Sequence, residues 1–425
     1  MPWSAQLRTS LAAWLTVPLI CGIILYAQGN LVQWATTGYW QSASGKATYL
    51  LFMIAPAAAL TGAWEGGRIR RARVTGRAPV RSGLRIAFAH LLPVFAMVAV
   101  GVTTAFAATA STARGAPGFP NPWMVLLCLA VGCSHAVLGY ALGLLLPVPV
   151  SLPLCLAASY VWTAYVGTVE PLWLRYLTGM YLDDCCALDQ VPATGALVAP
   201  VVMALGLAAA GGLLIVVRRR LAAALGAVAA VAVGFALAVW PVHHLGASPT
   251  QTRTGTRCAG TAPRVCLWPE QQQAADLIRL TVHTGYARLA AAGVRLPDTV
   301  KASDDARQQG ALTLLASTNP TRQEITDDLS QAILPADSPL CSEDTPYPGN
   351  AAYGPLQAWL DLVQGGAGQL LAGEVTAADV QLAERVRTLP RAEQLSWFAV
   401  DMHALTSCNT PLAVLPATPG KEHSR

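Results

Sequence analysis

The chain has 425 residues, of which 54% are hydrophobic and 12% charged, where soluble domains carry about 25% charged residues. That much apolar side chain cannot be hidden inside one water-soluble globule, so lipid is the expected solvent of at least part of the chain. The net charge of +5 sums two unlike halves, with 14 Lys/Arg against 5 Asp/Glu in residues 1–245 and 14 against 18 in residues 246–425; it gives no reason to expect a nucleic-acid partner.

In chain order, seven apolar stretches reach the roughly 20 residues that a helix needs to cross a bilayer. They lie at about 10–28, 47–64, 84–108, 123–146, 150–168, 195–217 and 221–241. The first can also be read as a secretory signal with Arg8 as its basic region. Its length, and the poor small-x-small site in "LYAQGN", favour an uncleaved anchor. Trp34, Tyr39, Trp40, Trp64, Trp123, Trp173, Tyr176 and Trp240 fall at span borders, where amphipathic rings sit between lipid and water.

Between the second and third stretches runs "EGGRIRRARVTGRAPVRSGLR", residues 65–85, with seven arginines and one acid. Cytoplasmic loops collect Lys and Arg near helix ends. Seven spans with the N-terminus inside put this loop and the Arg218–Arg219–Arg220 cluster on the cytoplasmic side. The opposite loops at 29–46, 109–122 and 169–194 then hold only Lys46, Arg114 and Arg175 as bases. The third carries Glu170, Asp183, Asp184 and Asp189. No aromatic platform accompanies the arginines, so a nucleic-acid reading is set aside. Residues 246–425 follow the seventh span and are expected outside.

The fourth span carries a ridge of small residues, Gly132, Ala136, Gly139 and Gly143, which lets helix backbones approach closely in lipid. That packing can be within the chain or between subunits. His90 and His135 are the ionisable groups well inside the spans, with Ser134 as a local partner for His135. Intramembrane acids and bases for a proton or sodium relay are not seen, which argues against a self-coupled carrier. There is no GxxxxGK[ST] and no HExxH, so no catalytic residue, cofactor or metal is expected, and any ATP must be hydrolysed by another chain. The "DDCC" at 183–186 and the pair His243–His244 match no ligand spacing. Cys21, Cys128, Cys133 and Cys155 read as small apolar fillers.

A Gly/Ser/Thr-rich linker and a disulfide-closed turn are expected at 246–268, then a mainly helical domain at 269–425. Its helices are expected at about 270–292, 304–316, 321–332, 355–371, 376–387 and 390–406. Strands are limited to "GVRLP" and "VKAS" at most. Thr376 opens a capping-box variant. Cys258, Cys266, Cys341 and Cys408 form an even set suited to an oxidising compartment. Cys258–Cys266 would close a short loop and Cys341–Cys408 would clamp the rest, but four cysteines permit three pairings. His283 and His403 lack a matching acid or nucleophile. "PLCSEDTPYPGNAAYGP" reads as a Pro/Gly loop suited to binding.

The expected fold is therefore an all-α polytopic membrane protein, about seven transmembrane helices followed by a small, mainly α extracytoplasmic domain. Over about residues 1–220 the architecture resembles the permease subunits of ABC-2-type exporters: two spans, an arginine-rich inner loop, then four spans ending at Arg218–Arg220. The Ala/Arg-rich composition and "VCLWPE" also look like actinobacterial membrane proteins with such tails. The resemblance implies a dimeric export permease, homo- or heteromeric, in the bacterial plasma membrane, powered by a separate ATPase. The first inner loop would dock on that ATPase, which in this sequence maps to Glu65, Arg68, Arg70, Arg71, Arg73, Arg77 and Arg81. The seventh span and outward domain depart from the pattern. They support the alternative of a membrane-anchored sensor or scaffold whose outer domain binds a ligand or protein.

Overall fold

The computed structural model describes residues 10–72, 82–217, 219–341, 347, 349–366 and 375–415. The chain divides into two compact units, Met1–Arg253 and Thr254–Arg425. The first unit contains α1 (Leu11–Tyr26), α2 (Trp40–Tyr49), α3 (Leu51–Arg71), α4 (Gly83–Thr109), α5 (Pro122–Leu145), α6 (Val148–Tyr160), α7 (Thr194–Val216) and α8 (Arg220–Val239). Composition suggested a boundary near residue 246, but a short antiparallel ladder moves it. β1 (Gln190–Pro192) pairs with β2 (Thr250–Thr252), which ties the expected linker to the first unit. Arg253 adds to the tie by donating to the Leu188 carbonyl and lying over the Tyr39 ring.

Among the described residues, six helices are long and apolar enough to cross a membrane: Leu11–Trp34, Gly83–Ala113, Pro122–Leu145, Val148–Thr168, Thr194–Val216 and Arg220–Val239. The α2–α3 pair, bent by 43°, adds a seventh if it is counted as one span. Outward-facing apolar side chains, among them Leu205, Leu221, Val228 and Leu237, suit a lipid surroundings. Trp34, Trp123 and Trp240 are exposed as border rings should be. Tyr39 and Tyr176 are instead buried, donating to the carbonyls of Gln190 and Gly246.

The α2–α3 pair differs from the single span expected at 47–64. α2 escaped notice because Gln41, Ser42, Ser44 and Lys46 give it no long apolar run. Its hydroxyls are satisfied internally: Ser44 donates to the Trp40 carbonyl, and Thr48 to the carbonyls of Gly45 and Met180. At its far end α3 continues through Gly66 and Gly67 to Arg71, where the sequence suggested a loop. These glycines serve packing, as "GAWEGG" reads in sequence. Gly62 and Gly66 face the carbonyls of Ala136 and Tyr140 on α5. Reciprocally, Gly139 and Gly143 of α5 face the carbonyls of Ala59 and Ala63, and a Cβ at any of the four would collide with backbone. Without a hydrophobic drive between helices in lipid, such close contact is what holds them together. A second small-residue crossing, Gly206 against Gly234, joins α7 to α8.

The second unit combines helices with a small sheet. β3 (Arg257–Ala259) and β4 (Arg264–Leu267) are antiparallel; β4, β5 (Thr299–Lys301) and β6 (Leu312–Thr313) are parallel, in the order β3-β4-β5-β6. The helices are α9 (Ala275–Ala292), α10 (Arg322–Ile333), α11 (Gly349–Gln364), α12 (Ala377–Arg387) and α13 (Arg391–Ala404). Reciprocal capping boxes open α10 (Thr321 with Glu324) and α12 (Thr376 with Asp379). The helix expected at 304–316 is replaced by a single 3-10 segment, Asp304–Gln309, and β6. Gly310, at φ +70°, turns the chain there, a conformation glycine adopts without a Cβ penalty. The core of this unit gathers Leu289, Leu356, Trp359, Leu360, Val386 and Trp397.

Candidate functional site

The expected docking residues are only partly available to a partner. Glu65 lies in α3 and is 2% exposed. Its carboxylate accepts from Ser10 Oγ at 3.0 Å and from Arg68 Nη1 at 2.9 and 3.1 Å. His90 Nδ1 of α4 stands 3.9 Å away and has no hydrogen-bond partner among the described residues. Arg70 donates to the Leu145 carbonyl, and Arg71 lies over the Trp64 ring. Arg73, Arg77 and Arg81 lie outside the described residues, as does Arg218. Glu65 and Arg68 are thus spent on joining α1, α3 and α4, whereas Arg70 and Arg71 remain exposed at the helix end.

Of the small-residue ridge, Gly139 and Gly143 meet α3, Ala136 is fully buried with its carbonyl against Gly62, and Gly132 abuts Val98 and Ile54. All four serve contacts within the chain. His135 finds its partner on another helix: Nδ1 is 2.7 Å from Ser159 Oγ of α6, while Ser134 donates to the Val131 carbonyl. Cys258 is bonded to Cys266 and Cys341 to Cys408. Cys185 and Cys186 are bonded to each other, and Cys21, Cys128, Cys133 and Cys155 are free. Burial and the like charge of Asp184 push the Asp183 carboxyl up to about 6, against the pull of Lys46. His243 packs edge-on to His244 and His403 pairs with Thr410. Among the described residues no three His, Cys, Asp or Glu side chains converge as a metal site.

The second unit holds a cavity of about 800 Å³ between β6, α10, the N-terminal end of α11 and the chain that follows α10. Its lining includes Asp304, Arg307, Thr313, Asp328, Tyr347 and Tyr353. Arg307 is built into the wall, Nη2 donating to the carbonyls of Ala332 and Leu334 at the end of α10. Tyr347 donates to the Leu405 carbonyl. Thr313 is 8% exposed, and its hydroxyl is closed off from solvent and has no partner among the described residues. Burial, reinforced by Glu324 one turn back, raises the Asp328 carboxyl to about 7. A volume of this order is typical of small-molecule sites, roughly 300–1,000 Å³.

Residues 265–408 match a domain of unknown function, DUF7224. No curated protein and no solved structure matches the chain. Every described residue lining the cavity falls within the DUF7224 match, as do both partners of the Cys341–Cys408 bond.

Sequence reasoning missed this cavity because its walls come from separated segments. One local signal was present. "EITDDLS" sets Asp327 and Asp328 between the buried Ile325 and Leu329, and "AWLDLV" sets the fully buried Asp361 inside an apolar run. Carboxylates at such positions need partners or protons. Burial and the neighbouring Asp361 raise Asp327 to about 7.

Proposed function

We propose that the chain is a multi-pass protein of the bacterial plasma membrane, with seven spans and the N-terminus inside, whose DUF7224 unit stands outside and binds a small ligand. The observation that carries this reading is the cavity, half open and lined by both polar and apolar side chains of that one unit. Its placement outside is supported by the two disulfides of the unit, which suit an oxidising compartment. It is supported as well by the arginines gathered between the second and third spans. The spans would serve as anchor and as the route by which occupancy is reported.

The test is a binding screen on the full chain in nanodiscs, using small polar metabolites and reading thermal stability. One chemical class should raise the transition temperature, and Ala332→Trp, which puts a large ring into the lining, should diminish the shift. A silent panel, together with an ATPase that co-purifies and turns over faster with the chain, would reject the sensor.

That outcome would favour the second reading, a dimeric permease subunit of an ABC-type exporter. Arg70 and Arg71, exposed at the end of α3, support it, as does the elaborated segment between the fifth and sixth of the seven expected spans with its short helical turn at Leu172–Leu177. Replacing Arg70, Arg71 and Arg73 by Lys keeps the charge but removes the planar fork. In a permease it should lower stimulation of the ATPase.

A further inference from the structure

We infer that residues 178–190 form a proton-governed strap over α2: with Asp183 protonated the strap lies closed on the helix, and ionisation of Asp183 loosens it. The inference goes beyond the reading of the DUF7224 unit and does not depend on it, since every residue it uses lies in the first unit.

The strap is laid on the helix by its own backbone. Gly45 of α2 faces the carbonyls of Leu182 and Cys185, so closely that a Cβ there would collide with both. Three more carbonyls of the strap accept from side chains in or just before α2. That of Met180 accepts from Thr48 Oγ1 at 3.2 Å, that of Cys186 from Thr36 Oγ1 at 2.9 Å and that of Gln190 from the Tyr39 hydroxyl at 2.6 Å. Met180, Leu182, Cys185 and Cys186 are buried, and so are Ser42, Ser44 and Thr48 of α2. The strap therefore covers a polar helix, and it is tethered there by neutral hydrogen bonds, each of modest net strength.

Asp183 sits where a charge acts on this closure. The two carbonyls that meet Gly45 bracket it in sequence, which brings it close to Lys46 and Tyr49 of α2. The groups that face it are those two, Asp184 and Tyr181 of the strap, and the backbone amides of Asp183 and Asp184. Tyr26 stacks on Tyr49, and Arg175 lies near Tyr181. Burial and the like charge of Asp184 outweigh the pull of Lys46 and the amides, so the closed strap favours the neutral acid and its value rises from 3.8 to about 6. An open strap returns the carboxyl to water and to its ordinary value. The difference between 3.8 and about 6 corresponds to about a hundredfold change in the closed-to-open ratio. That ratio is highest below about pH 4, falls as pH rises through 6 and is level above about 7.

The experiment is hydrogen–deuterium exchange of the full chain in nanodiscs between about pH 4.5 and 7.5, read by peptide and corrected for the intrinsic pH dependence of amide exchange. The amides of Cys185 and Gln190, bonded to the carbonyls of Leu182 and Ala187, report the strap, and those of α5 serve as reference. Protection of the strap should fall by about tenfold or more over this range while that of α5 stays constant. Asp183→Asn should hold the strap at its low-pH protection throughout. Asp184→Asn, at an exposed position, removes repulsion and should move the midpoint to lower pH, whereas Lys46→Gln removes attraction and should move it higher. A strap that only packs on α2 gives no such opposed shifts. None of these readings touches the second unit, so ligand binding there stands or falls separately. Strap protection that is flat or rises with pH in the native chain overturns the inference. So does a native pH profile in Asp183→Asn, or an unmoved midpoint in both Asp184→Asn and Lys46→Gln.

Discussion

Gly139 of α5 lies directly against the carbonyl of Ala59 on α3, so closely that a methyl group at Gly139 would overlap the backbone oxygen. Gly143 repeats the contact one turn on against Ala63, and Gly62 and Gly66 return it from the other helix. The four glycines make a reciprocal seam, and the offending atoms on each side are backbone, which cannot swing aside.

Gly139→Val should therefore destabilise the first unit by at least the roughly 1–3 kcal/mol of an overpacked core. Gly212 supplies the control, since a Cβ there meets nothing within 4 Å. Gly212→Ala should be neutral or slightly stabilising, because alanine gives up less chain entropy in a helix. Thermal denaturation in detergent reads both. Equal transitions for Gly139→Val and the native chain would mean that the two helices are not in register as described.

The second prediction concerns pH and the acids of α10. Asp327 and Asp328 are both raised from 3.8 to about 7, chiefly by burial, with Asp361 and Glu324 adding repulsion. Asp401 is raised too, by burial, against the pull of the Ala413 amide. An acid raised in the folded state binds its proton more tightly there than in the unfolded chain. Stability is then greatest below the unfolded value and falls as pH rises toward 7. Calorimetry of the full chain should show the second unit's transition, identified as the one that moves when Cys341 and Cys408 are replaced by Ser, dropping between about pH 4 and 7. Asp327→Asn should roughly halve the drop, since Asp327 and Asp328 contribute comparable shifts. A transition that rises over this range would contradict the buried-acid arrangement.

These two sites differ in how far the sequence reveals them. The glycine seam was legible in its parts: the ridge on α5 repeats at helical spacing and Gly62, Gly66 and Gly67 of "GAWEGG" read as packing glycines, but the apolar run ends at 64 and hides the continuation of α3 to Arg71. The long apolar helices were legible because lipid demands length and composition together. α2 was not, since its stability comes from neighbours rather than from an apolar run. In the second unit, the capping box at Thr376 marked the start of α12. Of the expected strands, "VKAS" overlaps β5 and "GVRLP" forms none, whereas β3, β4 and β6, only two to four residues long, are set by their partners in the sheet and were not expected. The "DDARQQ" turn has helical composition, and only Gly310 hinted that it stops. The cavity inherits this difficulty, since Thr313, Asp328 and Tyr353 come from β6, α10 and α11.

The third prediction concerns the disulfides. Mass mapping of alkylated, unreduced protein should find no free thiol at Cys258, Cys266, Cys341 or Cys408. Cys341 and Cys408 are 67 positions apart, so their bond restrains a long loop. Replacing both by Ser should cost about 2–4 kcal/mol, read as a lower midpoint in urea. The Cys258–Cys266 bond spans only 8 positions and sits on an existing β3–β4 pair, so its double replacement should cost less. The reverse ranking would mean that the loop between Cys341 and Cys408 is held mainly by packing.

The last prediction separates the two roles open to the arginine-bearing end of α3. Glu65 joins three helices: it accepts from Ser10 before α1, pairs with Arg68 on its own helix and faces His90 on α4. If that junction is structural, removing the carboxylate matters more than removing its charge. Glu65→Gln keeps an acceptor for Ser10 and a polar partner for Arg68, so its cost should be small. Glu65→Ala leaves the buried Ser10 hydroxyl and part of the Arg68 guanidinium without an acceptor. A fully buried broken pair costs about 3–5 kcal/mol, but the Arg68 side chain is nearly a third exposed and water can replace part of what is lost. A loss on the order of 1–3 kcal/mol is expected for Glu65→Ala, with Arg70→Ala and Arg71→Ala near neutral in stability because both are exposed. Thermal unfolding of the four variants in nanodiscs gives the ranking. If Glu65→Gln is as damaging as Glu65→Ala, the charge itself holds the junction. If neither variant shifts the transition but both lose a partner that the native chain retains, Glu65 serves an interface rather than the fold.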